Sequence, residues 1–239
     1  MERANRKKDE LRDVSVEIDF NAFAEGSCLF RQGKTVVLCT ATVERAVPAW
    51  KSEEDGGWIT AEYAMLPRAN RSRSPREAKQ GKQSGRTMEI QRLIGRALRA
   101  AVDLRELPGL TVTLDCDVLQ ADGGTRCASI TAAYIAFVKA MEKAVKMGYL
   151  DKLPPIHQVA AISVGKNEET LLLDLDYKED SSADVDLNLV MMYPNQIVEI
   201  QGTSEGQTFD QEELNQMVQL GQKGLKELFA LQKDVLGTC

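Results

Sequence analysis

The 239-residue chain carries a single histidine, only five cysteines and few aromatic residues, and each shortage removes a class of chemistry. The histidine, His157, stands in a proline-rich connector, LPPIHQVA, and reads as a linker residue. Ser-His-Asp triads, HExxH metal sites and imidazole acid–base schemes therefore have almost no material to work with. Cys28, Cys39, Cys116, Cys127 and Cys239 form no CxxC pair and are odd in number. That argues against a zinc ribbon or a disulfide framework and for thiols that are mostly buried. Neither GxGxxG nor GxxxxGK[ST] occurs, so dinucleotide and P-loop chemistry are not indicated. No stretch approaches the roughly 18 apolar residues that cross a membrane, and the charged start MERANRKKDELRD has no apolar signal region. The expectation is a cytoplasmic protein without a membrane partner. An enzyme with this inventory works through carboxylates, arginines, backbone amides or a metal.

What the chain does have is one basic stretch on an acidic background. The net charge is −6, yet from Pro67 to Arg99 ten Lys and Arg stand against only Glu77 and Glu89, a local balance of +8. The segment PRANRSRSPREAKQGKQSG lacks hydrophobic period and is rich in Arg, Ser, Lys and Gly, which predicts a mobile loop. Its Arg68, Arg71, Arg73 and Arg76 can each neutralise a phosphate, and nucleic acid is favoured over a partnerless basic loop. With aromatics at 5%, binding would rest on backbone charge rather than base stacking.

Alternation dominates the first half. Val14, Val16, Ile18 and Phe20 share one strand face, SCLFR and TVVLCTATVE form a hairpin through Gln32-Gly33, and WITAEYAML is a further strand. From Thr87 to Val102, Ile90, Leu93, Ile94, Ala97, Leu98 and Ala101 recur at three- and four-residue spacing, a buried helical face with Arg92, Arg96 and Arg99 opposite. TVTLDCDVL is a strand, followed after ADGGTR by a helix from about Cys127 to Met147. Beyond the connector, VAAISVG, LLLDLDY, DVDLNLVMMY and QIVEIQGT read as four strands. A closing helix begins at a capping box, Thr208-x-x-Gln211. The order predicts an α+β fold of two β-rich halves, about 1–150 and about 151–239, with helices between or against them.

Three constellations carry chemistry. In Asp122-Gly123-Gly124-Thr125-Arg126, between strand and helix, the paired glycines let backbone approach a ligand, the helix start offers unpaired N–H groups, and Thr125 and Arg126 add a hydroxyl and a guanidinium fork. Such a turn can hold phosphate; a plain Gly-Gly turn is the competing reading. Gly81 to Arg86 stands at the entrance of the preceding helix, where Arg86 is either a second phosphate fork or a solvated arginine. In LLLDLDYKEDSSADVDLNLV, Asp184 and Asp186 lie two apart on a predicted strand and so share a face, with Asp180 on the preceding turn able to converge with them. An oxygen-only cluster suits Mg²⁺ or Mn²⁺; a solvated acidic hairpin is the alternative.

Taken together, WITAEYAMLPRA, SGRTMEIQRLIGRALRA, LDCDVLQADGGTRCASI, LDLDYKEDSSADVDLN and VEIQGT resemble the RNase PH family, in its order and spacing, over essentially the whole chain. The resemblance implies a single RNase PH domain over 1–239, with duplicated βα halves like the second domain of ribosomal protein S5. It implies a homohexameric ring, a trimer of dimers. It also implies phosphorolysis, in which inorganic phosphate attacks the terminal 3′ phosphodiester of tRNA precursors and other RNA 3′ ends and releases nucleoside diphosphates; the reverse reaction extends RNA. By the same resemblance Arg86, Gly124, Thr125 and Arg126 hold phosphate, Asp180 and Asp186 serve metal and catalysis, and Arg68, Arg73 and Arg76 bear on tRNA binding and ring assembly; the shared strand face adds Asp184 to the expected metal ligands. One departure is visible: the family usually reads Asp-Gly-Arg where this chain has Ala4-Asn5-Arg6. A non-catalytic ring subunit and a metal-dependent hydrolytic nuclease are the competing functions. The first predicts an incomplete site, and the second needs no pair of phosphate-binding arginines.

Overall fold

The computed structural model of the protein describes residue 3 and residues 6–237. Ala4 and Asn5 of the departing tripeptide, and Cys239, lie outside the described residues. The chain opens with an antiparallel meander of β1 (Val14–Ile18), β2 (Gly26–Gln32) and β3 (Thr35–Glu44). Half-buried Val14, Val16 and Ile18 alternate with exposed Ser15 and Glu17, as the period-2 pattern predicts. Phe20 does not join them: Asp19 takes φ 56°, the strand stops, and Phe20 is left exposed. The following hairpin turns at Gly33-Lys34, one residue later than expected. Gln32 still pairs with Thr35, and Gly33 supplies the left-handed conformation at φ 57°.

After β4 (Trp58–Met65) comes the basic segment, which is anchored where it begins. Ala69 is buried, its carbonyl accepts the Ala121 N–H, and a single helical turn, α1 (Glu77–Gln80), interrupts the loop. Helix α2 (Gly85–Ala101) buries the six predicted apolar positions and starts at Ser84, whose hydroxyl accepts the Thr87 N–H. It is the crossover that lets β5 (Thr111–Gln120) run parallel to β4, giving a five-stranded sheet of order β1-β2-β3-β5-β4. Helix α3 (Thr125–Lys146) is buried on nearly every side. Its alanines permit close approach: a Cβ at Gly26 of β2 would lie 2.0 Å from the Ala136 carbonyl oxygen.

The connector follows, with the His157 N–H donating to the carbonyl of Ala101, consistent with a linker role. The second half contains β6 (Val159–Asn167), β7 (Thr170–Leu173), α4 (Tyr177–Asp180), β8 (Val185–Met192), β9 (Gln196–Ser204) and α5 (Gln211–Leu236). The strands form an antiparallel sheet of order β7-β6-β8-β9. LLLDLDY is only half strand, because Asp174 turns left-handed at φ 55° and ends β7. The capping box of α5 is Asp210 with Glu213, not Thr208 with Gln211; each of the two carboxylates accepts the other residue's N–H.

Strand β6 is buried on both faces. On one, the Thr131 hydroxyl of α3 accepts the Ala161 N–H; on the other, Gly221 of α5 packs on Ile162, Val164 and Leu189. The layers therefore run five-stranded sheet, α2 with α3, four-stranded sheet, α5: the α+β pair of βα halves that the sequence predicts. Cys28, Cys39 and Cys116 line up across β2, β3 and β5, buried like Cys127. Burial pushes the Cys28 thiol up to about 12, which makes it a packing thiol rather than a nucleophile. Among the described residues no helix is long and apolar enough to cross a membrane.

Candidate active site

The Asp122–Arg126 turn joins the end of β5 to the start of α3. Gly123 and Gly124 are consecutively left-handed, at φ 79° and 64°. The space around them explains both glycines: a Cβ at Gly123 would lie 2.4 Å from the Leu175 carbonyl oxygen, and one at Gly124 3.1 Å from a guanidinium nitrogen of Arg12. No side chain caps α3, so its first-turn N–H groups stay available to an anion. The turn is held from behind. The Thr35 hydroxyl donates to the Gly123 carbonyl (2.7 Å) and accepts the Asp122 N–H (3.0 Å), while Arg12 donates to the Asp122 carbonyl (2.5 Å).

Thr125 is buried, and its Oγ1 accepts a hydrogen bond from the Tyr63 hydroxyl at 2.9 Å. Arg126 donates to Gln201 Oε1 on β9 at 3.0 Å and lies 3.8 Å from Glu89 on α2. Gln201 in turn donates to Glu89 and Glu199, so its amide is fixed between acceptors and holds its oxygen toward the arginine. Arg86, the second residue of α2, is exposed and has no ion-pair partner among the described residues.

The acidic cluster divides into anchors and open groups. Asp174 pairs with Arg12 at 2.6 Å, Glu179 pairs with Arg3 and Arg6, and Asp176 caps α4. Asp180 and Asp186 remain. Burial is the largest influence raising Asp180, and Arg86 and then Arg126 pull it back. Burial likewise raises Asp186, to about 6; Asp180 adds to the rise, and Arg126 and the Asn188 amide oppose it. Arg86, Arg126, Asp180 and Asp186 thus form one electrostatic unit, assembled from α2, α3, α4 and β8.

Asp184 is not brought into that unit. It stands one residue before β8, where its carboxylate accepts the Glu168 N–H at 2.7 Å and braces the β6–β7 turn. The third carboxylate acting on both Asp180 and Asp186 is Glu205, just after β9, which no sequence pattern singled out. Among the described residues no group of three or more His, Cys, Asp or Glu side chains forms a ready metal cage. The pair Asp180 and Asp186 still suits a hard divalent ion, which commonly binds through one or two carboxylates together with substrate phosphate oxygens. Asp186 Oδ1 is also buried without a hydrogen-bond partner, as a ligand oxygen would be.

Arg68, Arg71, Arg73 and Arg76 are all exposed on the basic segment. Arg76 joins Lys82 and Arg86 around a cleft of about 1040 Å³, across from Glu62, Asp115 and Asp117 on the sheet. Burial, then Glu62, raises the Asp115 carboxyl; burial also raises Asp117, against the pull of Arg76.

The turn, the two arginines and the two carboxylates lie where the two halves of the fold meet, and comparison with known proteins gives the family. Residues 10–141 match domain 1 of the 3′ exoribonuclease family and residues 157–224 match its domain 2. The chain belongs to the 3′ exoribonuclease family. Ribonuclease PH of Bacillus velezensis and ribonuclease PH of Bacillus subtilis are each 52% identical to it over 238 residues, covering 99% of this chain and 97% of theirs. Among solved structures, rice (Oryza sativa) Rrp46 superposes with a TM-score of 0.79 at 18% identity, covering 97% of this chain and 98% of that one. The Archaeoglobus fulgidus exosome with RNA bound to the active site gives 0.78 at 22%, covering 94% and 90%. These likenesses establish the fold, which is the ribosomal protein S5 domain 2-like arrangement of paired βα halves.

Proposed function

We propose that this chain, a phosphorolytic 3′→5′ exoribonuclease and nucleotidyltransferase of the RNase PH type, holds inorganic phosphate with Arg86, Arg126 and the amides and hydroxyl of the Gly124–Thr125 helix start. The observation that carries the assignment is that Arg126 acts on both Asp180 and Asp186, and Arg86 on Asp180, beside the uncapped start of α3. In the reaction a phosphate oxygen forms a bond to the phosphorus of the terminal 3′ phosphodiester. The bond from that phosphorus to the 3′ oxygen of the preceding nucleotide breaks. A nucleoside diphosphate leaves, and the shortened RNA keeps a 3′ hydroxyl. Because phosphate is itself the nucleophile, the protein has only to orient it, neutralise it and favour the charge of the transition state. Two arginines and a helix start do the first two, which accounts for a site without histidine.

Asp180 and Asp186 would hold Mg²⁺ or Mn²⁺, which supplies positive charge beside the scissile group. Asp184 is left out of that ligand set. The substrates proposed are tRNA precursors, with Arg68, Arg73 and Arg76 holding the RNA backbone, and the assembly proposed is a homohexamer in the cytoplasm. We also treat residues 1–239 as one working domain, supported by α3, which packs against both sheets.

Digestion of a 3′-extended tRNA with Mg²⁺, with and without inorganic phosphate, tests the chemistry. Diphosphates released only with phosphate are the expected result. Monophosphates in phosphate-free buffer would show a hydrolase instead, and no product in either buffer a non-catalytic ring subunit.

A further inference from the structure

The phosphate turn and the segment bearing Asp180 come from opposite halves of the chain, yet they touch through backbone. Besides meeting the Leu175 carbonyl, a Cβ at Gly123 would lie 2.6 Å from the Asp176 carbonyl carbon and 2.8 Å from the Tyr177 N. One side chain is bonded to both. Arg12, nine-tenths buried, donates through Nη1 to the Asp122 carbonyl, through Nε at 3.0 Å to Asp174 Oδ2, and through Nη2 at 2.6 Å to Asp174 Oδ1; its own backbone N–H donates to Asp174 Oδ2 at 2.8 Å. Asp174 is a non-glycine residue in the left-handed region, a conformation that persists only where its surroundings hold it. Two residues on, Asp176 opens the single turn of α4 that ends in Asp180.

We propose that Arg12 is a positioning residue for phosphorolysis. Its planar fork fixes the separation between the Gly124–Arg126 phosphate cradle and the Asp180 carboxylate. An ammonium has the charge but not the geometry to bind the Asp174 carboxylate bidentately while also reaching the Asp122 carbonyl. Arg3 and Arg6, which clasp Glu179 at the far end of the same segment, complete the brace. The proposal rests on the assignment of the phosphate site given above.

The test is steady-state phosphorolysis of a 3′-extended tRNA across a range of inorganic phosphate. Arg12→Lys and Arg12→Met are compared with wild type and with Arg126→Ala, each alongside tRNA affinity and a thermal melt. Arg12→Lys is expected to melt as a folded protein and bind tRNA within about twofold of wild type. Its KM for phosphate should nevertheless rise at least tenfold, with kcat reduced, and Arg12→Met should be worse on both. A folded Arg12→Lys with wild-type KM and kcat overturns the positioning role. So does a loss that follows the folded fraction alone, which would make Arg12 merely structural. Should Arg12→Met fail to fold, the Arg12→Lys result decides by itself. An Arg126→Ala enzyme with unchanged phosphate KM would instead overturn the site assignment, and the positioning role with it.

Discussion

Burial gives Asp186 opposite consequences for stability and for activity. Its folded-state pKa is raised to about 6, above that of the same side chain in the unfolded chain. The folded state therefore binds the proton more tightly. The associated stability is fully present at low pH and is lost as pH rises through about 6. In chelator, Asp186→Asn should melt higher than wild type at pH 8, by roughly 1–3 kcal/mol, and almost equally at pH 4. The same variant should lose phosphorolysis, so a gain in stability accompanied by unchanged turnover would remove Asp186 from the site. Arg126 lies on the other side of that balance. Arg126→Ala should raise the KM for phosphate roughly 10- to 100-fold, the loss of one charge-assisted contact, while tRNA affinity holds. Affinity for phosphate equal to wild type would contradict its assignment.

At the scale of elements, the glycines of the phosphate turn differ in what they tolerate. Both are left-handed, but Gly123 meets the backbone of 175–177, whereas Gly124 meets side chains, the end of Arg12 and the Ser163 hydroxyl. Gly123→Ala should therefore cost roughly 2–4 kcal/mol, overpacking added to left-handed strain, and Gly124→Ala clearly less; urea melts of the two variants check the order. Both glycines were legible in the sequence as a tight turn between a strand and a helix, because glycine adopts left-handed backbone without a Cβ clash. The strands and α2 were legible for a related reason, since their apolar period is local and the sheets and helix bury the face it marks. Boundaries set by one residue's backbone were not: Asp19 and Asp174 both turn left-handed, and nothing in DFNA or LDLDYKED announces that. Nor could spacing separate Asp184 from Asp186. Their partners, the Glu168 amide and the Arg126 and Asp180 charges, lie in other elements, and the Arg12–Asp174 pair spans the two halves.

For the whole molecule, the concentration of positive charge in 67–99 matters more than the net charge of −6. Replacing Arg68, Arg73 and Arg76 together by Ala should weaken tRNA binding and flatten its dependence on salt by about two to three in log–log slope, one phosphate contact per arginine. Native mass measured in parallel separates an RNA defect from an assembly defect, and wild-type tRNA affinity with native mass would exclude both roles. The site itself is divided between halves, with Arg86 and Arg126 in the first and Asp180 and Asp186 in the second. Ribosomes add roughly 5–20 residues per second, so a chain under synthesis spends seconds with the proposed phosphate-holding residues made and Asp180 and Asp186 still untranslated. On that assignment such a nascent chain would be unable to degrade the transcripts around it, and nuclease competence would arrive only once β8 has been made.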